Sequence, residues 1–257
     1  MRRSTISILA FALALPLMAF AAVAAGSGPT PAYVIAALNS PARKGDAADD
    51  TRRQAAAVMV FAGVKPGQTV LELVPGEGYW TRVFSGIVGD HGHVYTVWPN
   101  EMGKYSAKSL ATWQDLIKKP PYTNVSILTQ PAASLSSPAP VDLVFTCQNY
   151  HDYHDKFMGP VDMASFDKQV YGVLKPGGLF VVIDHVAPAG SGFADTDTLH
   201  RVDPEAVKKE VEAAGFIFDG ESDALKNPAD PHTNKVFDPS IRGKTDQFIF
   251  RFRKPMK

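Results

Sequence analysis

The chain has 257 residues, 45% of them apolar, with 26 basic and 26 acidic side chains. This is enough material for one α/β domain with a sizeable core, and it excludes a largely disordered chain. The charge balance gives no broad attraction to nucleic acid, so none is expected as a partner. Cys147 is the only cysteine, which excludes an intramolecular disulfide. It ends an apolar run from Val141 to Phe145 and reads as a buried small hydrophobe.

Arg2 and Arg3, the apolar run Ile6 to Phe20 and the small-residue site Ala22-Val23-Ala24 follow the layout of a secretory signal peptide. Residues 1–24 are therefore expected to be removed, leaving a periplasmic or secreted protein. Uncleaved, Ile6 to Ala25 is just long enough to span a membrane. That leader is the one membrane contact the sequence suggests.

Residues 25–63 form a helical lead-in. Tyr33 to Leu38 makes a short helix ended by Ser40-Pro41. Asp49-Asp50-Thr51 can cap a helix over 52–62, with Ala55, Val58, Met59 and Ala62 on one face. Gly63 and Lys65-Pro66-Gly67 end it. An α/β domain over 64–257 follows.

Its first strand, 69–74, is apolar with little alternation, as a strand buried on both faces would be. It breaks at Pro75-Gly76-Glu77-Gly78 into a helix over 79–88. A strand follows at 93–98, a helix at 102–118 and a strand at 124–129. Val141 to Cys147 is the fourth strand. Met163, Phe166, Val170 and Leu174 mark an amphipathic helix. Lys175-Pro176-Gly177-Gly178 predicts a sharp turn into a strand at 179–184. Asp203-Pro204 starts a late helix. A strand begins at 216–218, and Thr245 to Phe252 alternates like an edge or antiparallel strand. The alternation of strands and helices predicts a doubly wound, mostly parallel sheet.

A strand, a glycine turn and a helix start can hold a nucleotide-like ligand, because glycine admits close approach and the helix start offers unpaired N–H groups. The residues Val70-Leu71-Glu72-Leu73 leading into that turn, Gly89-Asp90-His91-Gly92, Leu174 to Leu179 and Ala213-Ala214-Gly215-Phe216 together resemble the class I S-adenosylmethionine (SAM)-dependent methyltransferases. Asn149-Tyr150-His151-Asp152 and the tail Asn227 to Asp246 are similar to a narrower set of exported, predicted methyltransferases.

The resemblance implies a Rossmann-like, seven-stranded sheet with its last strand antiparallel. It implies S-adenosyl-L-methionine as cofactor, lying across the carboxyl ends of the first, second and fourth strands. Glu72, Pro75, Gly76, Gly78, Trp98 and Gln148 are the residues it assigns to the cofactor. Glu72 would serve the amino group or the turn, and Gly76 and Gly78 would give the methionine part clearance. Tyr79 and Trp80 would wall that end. The family pattern has glycine where this chain has Val74, an acid where it has Trp98, and an acid near Pro131. Trp98 can stack on adenine or plug the pocket. Glu101 could replace the missing acid only if its loop bends back.

The richest polar stretch is Asn149 to Asp155, beside the expected cofactor. Asn149 can accept from a target nitrogen, and His151 or His154 can act on an acceptor hydroxyl with a neighbouring aspartate orienting it. Asp184 and His185 end the fifth strand at the same edge, and His200 can reach the pocket from a lid. His151, His154 and their flanking aspartates, with Asp184-His185 at the next strand end, are plausible metal ligands, but no established zinc spacing is matched and no metal is expected. Arg52, Arg53, Arg242 and Lys244 read as surface or salt-bridge residues.

The expected function is methyl transfer from SAM to a small or medium acceptor. The alternative is a non-catalytic exported binding protein on a degenerate methyltransferase scaffold.

Overall fold

A computed structural model describes residues 29–257; the expected signal peptide lies outside the described residues. The lead-in folds as α1 (Ala32–Leu38), α2 (Ala47–Asp50) and α3 (Ala55–Ala62). The expected helix over 52–62 begins three residues late because Gln54 is left-handed, at φ 47°. Asp50 does not cap it. Its carboxylate instead accepts from Arg43 and from the Tyr79 hydroxyl.

The sheet and its helices follow in chain order: β1 (Thr69–Leu73), α4 (Tyr79–Val88), β2 (His93–Pro99), α5 (Gly103–Leu116), β3 (Val125–Gln130), β4 (Val141–Cys147), α6 (Met163–Val173) and β5 (Leu174–His185). The chain closes with α7 (Thr196–Leu199), α8 (Pro204–Ala213), β6 (Ile217–Ser222) and β7 (Gln247–Arg253). Asp162 caps α6 through the Ala164 amide, and Asp203 caps α8 through the Glu205 amide with Pro204 in the first turn.

The strands form one seven-stranded sheet in the order β3-β2-β1-β4-β5-β7-β6. β1 lies parallel between β2 and β4, and β7 runs antiparallel between β5 and β6. This is a Rossmann-like, doubly wound sheet with its late strand reversed. The alternating segment is thus antiparallel but interior, since β6 covers its outer side. The Lys175-to-Gly178 turn is a bulge within β5: Leu174 pairs with Val141 and Leu179 with Leu143. There the Gly177 amide donates to the Lys254 carbonyl, which lengthens the strand beyond the expected 179–184.

Each face of the sheet carries its own core. Val70 of β1 packs with Val34, Val58, Phe84 and Trp113 on one side, so the lead-in is part of that core. Leu71 and Leu73 pack with Phe166, Val170 and Val207 on the other. β1 therefore buries both faces, and this is why its sequence does not alternate. Among the described residues no helix is long and apolar enough to cross a membrane.

The turn after β1 is fixed by the indole of Trp113. Gly78, the residue before α4, sits at φ 80°, and a Cβ there would lie 2.2 Å from Trp113 Nε1. Gly78→Ala should cost about 2–4 kcal/mol, from left-handed strain plus overpacking of a buried indole. Urea unfolding of the variant and the parent measures this; a difference under about 0.5 kcal/mol would contradict it.

Candidate functional site

Three cavities meet at the carboxyl ends of β1, β2 and β4, where open α/β sheets gather ligands. The first is polar and about 320 Å³, with Glu72, Pro75, Gly76, Tyr79, Trp80 and Arg53 in its wall. The second is about 220 Å³ and lies among Val74, Gly76, Glu77, Trp98 and Ser106. The third, about 660 Å³, is lined by Gln148, Asn149, His151, Asp152, His185 and His200. Val74, Gly76 and Glu77 border the first two, and Gln148 and Asn149 border the first and third. Met102 and Tyr105 border the second and third.

The turn that joins the two smaller cavities carries an unusual residue. Val74 is left-handed at φ 49°, a region that a β-branched side chain rarely enters and that costs on the order of 1–3 kcal/mol. Its amide donates to the Val97 carbonyl of β2 at 2.9 Å, which helps to hold it there. The valine thus adopts the left-handed backbone that favours glycine. Gly76 sits at φ 59°, and a Cβ there would meet nothing within 4 Å. Its freedom serves the turn and the open wall. Gly78 lies outside the cavity linings and gives its clearance to Trp113.

Glu72 is buried and accepts from the Thr81 hydroxyl on α4. Burial pushes its carboxyl up to about 7, although Thr81, Arg82 and Arg53 pull the other way. Arg53 presents a guanidinium to the same cavity. Its Nε is buried with no hydrogen-bond partner among the described residues, and its head stacks over the Tyr79 ring at 4.5 Å. The sequence marked Arg53 as a surface or salt-bridge residue, because only the packing of the lead-in over β1 brings it here.

Trp98 is buried, and its indole N–H donates to Thr96 Oγ1 at 3.0 Å. The ring walls the second cavity and leaves it open. Glu101 does not enter that cavity, because its carboxylate accepts from the Ala132 amide at 2.9 Å. Pro131 is exposed and also stands outside. Glu77, Tyr105, Ser106 and Ser109 supply polar groups there.

The third cavity is built on Asp184, a fully buried carboxylate at the end of β5. It accepts from the His151 amide at 2.9 Å, from His151 Nδ1 at 2.8 Å and from the His185 amide at 2.8 Å. Burial opposes charge on His151, but the contact with Asp184, and then Asp152, outweighs it and raises the imidazole to about 9. Burial pushes Asp152 up to about 6 and His185 down to about 4. Asn149 donates from Nδ2 to Asp152 Oδ2 at 3.1 Å. Gln148, left-handed at φ 63°, donates from Nε2 to Gln247 Oε1 at 3.0 Å.

Of the expected catalytic group, Asn149 and His151 line this cavity and Asp184 lies directly behind His151. His154 does not join them. Its Nε2 lies 3.0 Å from Glu210 Oε2 on α8, and its ring stacks on Phe193. His200 does join, from the left-handed position that follows α7, and its Nδ1 lies 3.3 Å from His151 Nε2. Burial pushes the Cys147 thiol up to about 12, which removes it as a nucleophile at neutral pH.

The raised carboxyl of Glu72 has a pH signature in the ligand-free protein. Its value of about 7 exceeds the ordinary 4.5, so its contribution to stability is complete below the unfolded value and is lost as pH rises through 7. Glu72→Gln stays neutral throughout. Relative to the parent it should therefore gain on the order of 3 kcal/mol between about pH 4.5 and pH 8. Urea unfolding at the two pH values measures this, and a parent–variant difference independent of pH would contradict it.

No protein-family model matches the chain. A protein-L-isoaspartate O-methyltransferase from Methanococcus aeolicus is 30% identical over 155 residues, 60% of this chain. The match spans about three-fifths of that relative's length, 61%. A SAM-dependent methyltransferase from Aquifex aeolicus superposes with a TM-score of 0.53 at 20% identity, covering 84% of this chain and 94% of the other. The [4+2]-cyclase SpnF superposes with a TM-score of 0.58 at 17% identity, covering 80% and 82%. Sheet order, strand directions and these superpositions agree: the chain has the fold of the class I SAM-dependent methyltransferases.

Proposed function

We propose that this protein is a SAM-dependent methyltransferase acting on a small or medium acceptor. The observation that carries the reading is the junction of the three cavities at the turn after β1 and at Gln148-Asn149. A fold shared with a cyclase does not by itself fix the reaction, so the assignment rests on the groups that the cavities present.

The first cavity fits the amino-acid end of SAM. Arg53 offers a carboxylate a guanidinium whose Nε has no hydrogen-bond partner among the described residues, Glu72 offers an acid to an ammonium, and Gly76 leaves the wall open. The second fits the adenosine end, with the Trp98 ring as its apolar wall and Glu77, Ser106 and Ser109 available to ribose hydroxyls. When bound, SAM supplies an electrophilic methyl on a sulfonium. Little acid–base help is then needed, and the protein's part is to align acceptor and methyl. Asn149 stands where the first and third cavities adjoin, so it is the residue we assign to that alignment. The third cavity is within the size range of small-molecule sites, and exposed Tyr105 and Phe237 flank it. The name of the archaeal relative refers to methyl transfer to oxygen, which favours an oxygen acceptor here.

Isothermal titration of the protein with SAM tests the reading. Gly76→Val should abolish binding, because the side chain would project into the shared wall. Arg53→Met should weaken binding about tenfold to a hundredfold, the loss of one charge-assisted contact to a carboxylate. Absence of heat at millimolar SAM, or wild-type binding by both variants, would contradict the reading.

We further propose that the mature protein works outside the cytoplasm. The support is the basic start, the apolar run and the Ala22-Val23-Ala24 site. Cell fractionation with N-terminal sequencing should find a shortened chain beginning near Ala25 in the periplasm or medium. A full-length cytoplasmic product would contradict it.

A further inference from the structure

We infer that His151, Asp152 and His200 form a binding site for one divalent first-row transition-metal ion of the zinc type, opening into the acceptor cavity. The inference deepens the methyltransferase reading, because the metal would hold the acceptor. The site itself rests on separate geometry.

The three residues come from different parts of the chain. His151 and Asp152 belong to the 3-10 turn after β4, and His200 follows α7. His151 Nε2 lies 3.3 Å from His200 Nδ1 and 3.3 Å from Asp152 Oδ1, and the last two are 4.0 Å apart. A single point therefore lies about 2.1 Å from all three donor atoms, the length of a zinc–imidazole or zinc–carboxylate bond. Direct contacts, a His151–His200 hydrogen bond and ion pairs with Asp152, hold the three atoms this close, and an ion would take their place.

The remaining valences of the ligands are already committed. His151 Nδ1 donates to Asp184, a carboxylate with no solvent exposure, which fixes the ring and turns Nε2 toward Asp152 and His200, where zinc would take the place of its proton. Asp152 Oδ2 accepts from Asn149, which leaves Oδ1 for the ion. A histidine ligand backed by a buried carboxylate is the usual outer-shell arrangement of metal sites. His200 is held from below. Arg201 next to it is buried, donates twice to Asp230 at 2.9 and 3.0 Å, and reaches the Val186 and Asn234 carbonyls.

Two imidazoles and one carboxylate suit zinc and its neighbours rather than calcium or magnesium, and three protein ligands leave positions open. All three residues line the 660 Å³ cavity, so those positions face the acceptor. An anionic oxygen of the acceptor would complete the coordination there, and Asn149 would link the ion to the methyl-bearing cavity through Asp152.

The test uses zinc chloride and the metal-stripped full chain. Equilibrium dialysis with elemental analysis should find one zinc per chain in the parent. His200→Gly removes a ligand at a position whose φ of 53° suits glycine, and it should weaken zinc binding at least tenfold. Asp152→Asn should do the same and serves as the second variant if His200→Gly does not fold by circular dichroism. His154→Gln, outside the cavity, should bind like the parent. A parent that retains no zinc at micromolar concentration, or both ligand variants binding like the parent, overturns the site. SAM titration without zinc keeps the two claims apart. SAM binding without zinc binding removes the metal and leaves the methyltransferase reading. Zinc binding without SAM binding upholds the site and removes its tie to methyl transfer.

Discussion

The reversal of the chain at the end of β1 is the constraint on which the site depends. β1 is locked between β2 and β4 and buried on both faces, so it cannot shift to accommodate the turn. The chain must reverse within a few residues into α4, whose first turn packs Tyr79 and Trp80 against the sheet. Val74 takes a left-handed backbone to make that reversal, despite its β-branched side chain. Gly76 and Gly78 complete it for different reasons, one facing open cavity and the other facing Trp113. Strain of this kind persists only where the surrounding structure over-determines it, and here the Val97 carbonyl and the buried indole do so.

A second fixed point lies at the far side of the same edge. Asp184 ends β5 with three N–H donors aimed at its buried carboxylate, and this ties the polar segment after β4 to the next strand. The Arg201–Asp230 pair ties the loop bearing His200 to the tail before β7; Asp230 also accepts from the amides of His232 and Asp246. Removing one partner of such a buried pair would cost about 3–5 kcal/mol, so the tail cannot be loosened without moving His200. Between the two fixed points lie Gln148 and Asn149, which border both the cavity beside Glu72 and the one beside His151.

Much of this fold was legible in the sequence because its signals are local. Apolar-rich runs marked β1 and β4, glycine and proline marked the turns, and Asp203-Pro204 marked the start of α8. The Lys175-to-Gly178 bulge was hidden, because pairing with the chain after β7 turns a local turn signal into strand. The interior place of β7 was hidden too, since alternation reveals an antiparallel partner but not how many. Within the site, Gly76 stood out as part of a glycine turn between strand and helix, Glu72 through the family resemblance, and the Asn149-to-Asp152 segment by its density of polar side chains. His200 stood out as a lid residue before the late helix, whereas Arg53 carried no mark. Each reaches its cavity only through long-range packing, of the lead-in against β1 and of the late loop against the tail. His154 looked equivalent to His151, three residues earlier, but Glu210 on α8 draws it away.

The cavities around the β1 turn are assigned to SAM in a single orientation. A crystal structure with S-adenosylhomocysteine is the decisive test of that assignment. The amino-acid end should lie against Glu72 and Arg53, the sulfur near Asn149, and the purine beside Trp98. A purine seated among His151, Asp152 and His200, or a ligand that leaves Arg53 without a contact, would contradict it.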